Sequence, residues 1–98
     1  MSLKRVRGEQ TDLLMRAVLE INSVDEGYAL FEDLCTIREV QDLAQRLEVA
    51  QLLSRKATYT EIVEKTGVST ATIGRVNRAL NYGAGGYQRV FEKIDCEE

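Results

Sequence analysis

The chain has 98 residues, 16 acidic against 13 basic side chains, and neither histidine nor proline nor tryptophan. That length suits one domain. The absence of histidine removes the commonest general base and the usual catalytic zinc ligand. A net charge of −3 argues, at face value, against nucleic acid as a partner. The charge is unevenly placed, however. Residues 1–43 carry 5 basic and 9 acidic groups, residues 44–93 carry 8 and 4, and residues 94–98 add three acids. A polyanion responds mainly to charge within about 8 Å, one Debye length at physiological salt, so the basic middle segment outweighs the total.

Residues 1–10, MSLKRVRGEQ, hold no sustained periodicity and read as a flexible arm. Without proline and with many helix formers, residues 11–94 read as a single all-α domain. Three Ser/Thr-x-x-Glu matches, Ser23–Glu26, Thr36–Glu39 and Thr58–Glu61, have the form of capping boxes. In such a box the hydroxyl accepts from the third helical N–H and the glutamate reaches back to the cap. The first helix is predicted from about Asp12 to Ile21, with Leu13, Leu14, Ala17, Val18 and Ile21 on one face. A second follows Ser23 and carries Tyr28, Phe31 and Leu34. The third, from Thr36 to about Ser54, has a broad stripe of Ile37, Val40, Leu43, Ala44, Leu47 and Ala50, widened by Val49, Leu52 and Leu53. Stripes this broad suit helices contacted from several sides.

A fourth helix spans about Tyr59 to Lys65 and stops at Thr66–Gly67; a fifth is capped by Ser69 and runs to about Leu80. Residues 81–86 read as a loop by composition, a last helix carries Tyr87, Val90, Phe91 and Ile94, and residues 95–98 form an acidic tail. Cys35 and Cys96 have neither metal-site nor disulfide spacing and read as free thiols. No apolar run reaches the length of a membrane span or signal segment, which favours the cytoplasm. The acidic pairs read as solvated helix surface, and Gly83-Ala84-Gly85-Gly86 lacks the strand and Gly-Lys-Ser/Thr of a phosphate loop. No catalytic residues, metal site or cofactor are therefore expected, and the chain reads as no enzyme.

Residues 59–80 carry the chemistry. Two short helices joined at a glycine have the form of a helix-turn-helix. On a helical wheel Ser69, Ile73, Val76 and Leu80 share one side. Ala71, Gly74, Arg75 and Arg78 share the other, with Thr70 and Asn77 on a flank. This small, cationic outer face suits a major groove. Small residues admit the backbone closely, arginine can donate twice to guanine, and asparagine can pair with adenine. The hydroxyls of Ser69, Thr70 and Thr72 and the free N–H groups at the helix start suit phosphates.

The stretch from Leu34 to Tyr87, above all ATIGRVNRAL, resembles the Trp-repressor superfamily and within it the YerC/YecD branch. That resemblance implies about six helices in an intertwined homodimer whose two heads read successive major grooves of double-stranded DNA. It carries Thr70, Ala71 and Gly74 over as groove-facing positions, and Tyr59 and Thr60 as backbone contacts. It also implies a ligand pocket at Leu34, Gln45, Arg46, Val49, Arg75 and Ala79. Here the chain departs from the repressor: one ligand-clasping arginine is matched by Arg75, but the other falls on Gln45 with Arg46 beside it. A serine is replaced by Ala79, a threonine by Cys35, and a space-giving glycine by Val76. Tryptophan is thus not the expected effector, although another small molecule remains open. The wheel turns Arg75 outwards, whereas the resemblance turns it to the pocket. The alternative function is a helix-turn-helix dimer that binds a protein instead of DNA.

Overall fold

The computed structural model describes residues 3–97; the side chains of Cys96 and Glu97 are not among what it describes, so the free-thiol reading of Cys96 lies outside it. The described residues form a short 3-10 helix at Leu3–Val6 and six α-helices: α1 (Glu9–Leu19), α2 (Val24–Leu34), α3 (Ile37–Ser54), α4 (Tyr59–Thr66), α5 (Thr70–Tyr82) and α6 (Gly86–Glu97). No strand occurs among them. The helix count and all-α class agree with the sequence reading. Two ends differ. Helix α1 starts at Glu9, three residues before the predicted start at Asp12, with Glu9 and Asp12 in a first turn where the helix dipole favours acids. Helix α6 continues through the acidic segment, where Asp95 pairs with Arg55 of α3 at 3.0 Å.

The predicted caps form, with one variation. Thr58 and Glu61 close a full box at the start of α4, both bonds being 3.1 Å. Thr36 and Glu39 do the same for α3 at 2.8 and 3.1 Å. At α2, Ser23 accepts from the Glu26 N–H, but Glu26 reaches one residue further back, to the Asn22 N–H at 2.9 Å. Helix α3 ends without a glycine. The Ala57 N–H bonds to the Leu52 carbonyl and the Lys56 N–H to that of Leu53, each at 3.0 Å. This is a Schellman turn with Lys56 in the left-handed region at φ 69°.

Two compact units divide the chain, Met1–Val40 and Gln41–Glu98. In the first, none of the described residues is buried; Ile21, Leu30, Phe31 and Val40 are half-buried, while Leu13 is 60% and Ile37 79% exposed. The second contains the core. Val49 and Ala50 of α3, Ile62 of α4, Val68 of the turn, Ile73 and Val76 of α5 and Phe91 of α6 form one buried cluster, with Leu52, Leu53, Ala57 and Tyr87 packed against it. Helix α6 is fixed at both ends: Gln88 donates to the Leu80 carbonyl at 2.9 Å, and Asp95 holds Arg55. Tyr87 stacks nearly parallel on Phe91, ring centres 6.0 Å apart.

The caps have a pH signature. The Thr58 backbone N–H, and then its side chain, hold the Glu61 carboxyl below its ordinary value of 4.5; Thr36 does the same to Glu39. A carboxyl that titrates lower folded than unfolded stabilises the fold above its unfolded pKa. That contribution drains away as pH falls through the folded value. Glu61→Gln preserves the reach to the cap but cannot ionise. The wild type should melt above this variant at pH 6, and the gap in Tm should narrow as pH falls below 4.5; an equal gap at pH 6 and pH 3 would remove the carboxylate from the cap's energetics.

Candidate nucleic-acid interface

The site is built from α4, the turn at residues 67–69, and α5. Gly67 adopts φ 74°, ψ 5°, and its N–H bonds to the Val63 carbonyl at 2.9 Å. A side chain would strain that left-handed conformation, so glycine is the residue that lets α4 stop and the chain reverse. Thr66 tightens the corner, donating to the Ile62 carbonyl at 2.7 Å and accepting from the Val68 N–H at 3.3 Å. Ser69 then caps α5, accepting from the Thr72 N–H at 3.2 Å and donating to the Thr72 hydroxyl at 3.1 Å. With Ile62 and Ile73 both fully buried, the second helix is held on the first by its inner face.

That docking fixes what α5 presents. Its inner residues Ile73, Val76 and Leu80 are buried, whereas Thr70, Ala71, Arg75 and Arg78 are exposed. Arg78 makes no ion pair or hydrogen bond among the described residues. Tyr59 and Thr60 lie exposed in the first turn of α4. Other predicted contact residues are already engaged. The Ser69 and Thr72 hydroxyls form the cap, and Asn77 accepts from the Asn81 side chain at 2.9 Å with its own carboxamide oxygen. Gly74 is half-buried, and a Cβ added there would meet nothing within 4 Å. In a helix interior, glycine is about 1 kcal/mol less favourable than alanine, and no contact within the chain accounts for it.

Beside this face lies a groove of about 480 Å³, lined by Asp42, Gln45 and Arg46 of α3, Thr72, Arg75, Val76 and Ala79 of α5, and Tyr87 of α6. Four residues assigned to a pocket from the sequence, Gln45, Arg46, Arg75 and Ala79, meet here. Val49 does not line it, being fully buried in the core, and Leu34 belongs to the other compact unit. Arg75 lies on this groove while remaining exposed. Asp42, Thr72 and Tyr87 are additions to the pocket read from the sequence, where Thr72 had a phosphate-contacting role. Asp42 could have been found from its spacing, since positions 42, 45 and 46 share one helix face; Tyr87 comes from a separate helix and gives no local signal. Val76 belongs to both the buried core cluster and the groove lining.

Two helices locked about a glycine turn, the second with a buried inner and a partly cationic outer face, define a helix-turn-helix protein. The chain belongs to the Trp repressor protein family, whose model matches residues 9–95. It is 46% identical over 94 residues to the protein YerC of Bacillus subtilis (strain 168), itself uncharacterised, covering 96% of this chain and 90% of that one. Among solved structures, a TrpR-like protein from Eubacterium eligens ATCC 27750 superimposes with a TM-score of 0.88 at 50% identity, covering 93% of this chain and 94% of the other. A candidate Trp repressor of Staphylococcus aureus gives 0.91 at 39% identity, covering 97% and 95%.

Proposed function

We propose that the protein is a sequence-specific double-stranded-DNA-binding transcriptional regulator, a repressor, acting as a homodimer in the cytoplasm. The observation that carries this reading is the outer face of α5, where Arg78 stands exposed and unpaired among the described residues beside Ala71 and the bare backbone at Gly74. Membership of a repressor family supports it. Each subunit inserts α5 into a major groove, Thr70, Ala71 and Gly74 face the bases, and Tyr59 and Thr60 approach the phosphates. Arg78 supplies charge or a guanine contact, while Ser69, Thr72 and Asn77 contribute through the backbone they order. Two such heads require half-sites about 34–36 Å apart, one turn of DNA, or a multiple of it. The protein acts by binding, without catalysis. Tryptophan is not its effector, because Val76 and Ala79 stand where the family's indole space and ligand-holding serine are expected; any effector in the groove has different chemistry.

A second copy is needed to cover the apolar faces. Leu13, Leu34, Ile37 and Leu43 are between 45% and 79% exposed, and no described residue of the first unit is buried. Complete burial of one such side chain contributes about 1.5–3 kcal/mol, so this surface favours association strongly. Sedimentation should give twice the mass of the chain at micromolar concentration, and Leu43→Glu should shift the protein towards monomer and lower its Tm. A monomeric wild type under those conditions would rule the dimer out.

The regulator reading is tested by selection of bound duplexes from a randomised pool. It predicts enrichment of a near-palindromic motif, and failure to enrich any motif would overturn it. On the enriched duplex, Arg78→Ala should weaken binding and reduce the slope of log affinity against log salt by about 1 per subunit. An unchanged slope would take Arg78 off the interface.

A further inference from the structure

We propose that Gly74 is the specificity-determining position of α5, leaving room for the 5-methyl group of a thymine in each half-site. The inference rests on the DNA-binding reading above and sharpens it. Glycine usually marks a left-handed backbone or a crowded contact, and Gly74 has neither. Its φ lies outside the left-handed range, and an added Cβ meets nothing of this chain within 4 Å. Alanine would favour the helix, so whatever needs the empty space lies outside the chain. One turn earlier on the same face is Ala71, exposed; one turn later is Arg78, exposed. The Ala71 methyl and the Gly74 Cα carry no side-chain donor or acceptor. A base pair opposite them is therefore read by shape, and the apolar group that the major groove projects is the thymine methyl. Arg78 reaches the adjoining base pair or its phosphate.

The test uses the full-length protein and the duplex it selects, with each thymine replaced singly by deoxyuridine, which removes only the methyl group. Wild type should lose about fourfold in affinity at one position per half-site, the loss expected for one buried methyl. Gly74→Ala should raise Tm by a few degrees, weaken binding to the thymine duplex, and recover affinity on the uracil duplex, so that the preference reverses. A wild type indifferent to every replacement would overturn the proposal, as would a variant that keeps the wild-type thymine-to-uracil ratio. A fall in Tm would also overturn it, since the fold itself would then require the glycine. If the wild type enriches no duplex, the DNA-binding reading fails and takes this one with it; in every other case Gly74 is judged separately.

Discussion

The second unit depends on one piece of packing, Ile62 of α4 and Ile73 of α5, both fully buried with Val49 of α3 in a single cluster. A helix of eight residues, such as α4, has no stability of its own in water, because nucleation costs more than so few hydrogen bonds return. It persists here because Thr58 caps it, Gly67 ends it, and Ile62 is buried. Helix α5 inherits its direction from the same contact. What α5 shows to solvent is thus a consequence of what it hides.

Arg78, Ala71 and Gly74 are displayed together because Ile73, Val76 and Leu80 occupy the inner face. A cation on such a face acts at short range, within about 8 Å at physiological salt, so the local charge matters there more than the chain's total. The groove beside it has a mixed character, with Asp42 facing the same space as Arg46 and Arg75.

Much of this was legible in the sequence because its causes are local. The hydroxyl–glutamate pairs marked the starts of α2, α3 and α4, Gly67 marked the turn, and the period of Ile73, Val76 and Leu80 marked the buried face. What escaped depends on residues far apart in the chain. The continuation of α6 to Glu97 is backed by the ion pair of Asp95 with Arg55, 40 positions away. Tyr87 reaches the groove only through the docking of α6 on the core. The end of α3 at Ser54 was legible, but the turn that makes it was not, because Lys56 takes the left-handed conformation that glycine usually signals. For the binding residues, a wheel gives direction but not occupancy: the cap at Ser69 was legible, but not that the Thr72 hydroxyl and the Asn77 carboxamide oxygen were already hydrogen-bonded.

The first unit has a kinetic implication. Residues 41–98 contain a core that a solitary chain can collapse upon, whereas residues 3–40 bury no side chain completely. If two copies associate as proposed, maturation of such a chain separates into a first-order collapse, independent of concentration, and a later burial of the N-terminal apolar faces that waits on an encounter. The speed of the second step rises with the amount of protein present. Shortly after synthesis begins, newly made molecules would spend longer half-organised than those made later.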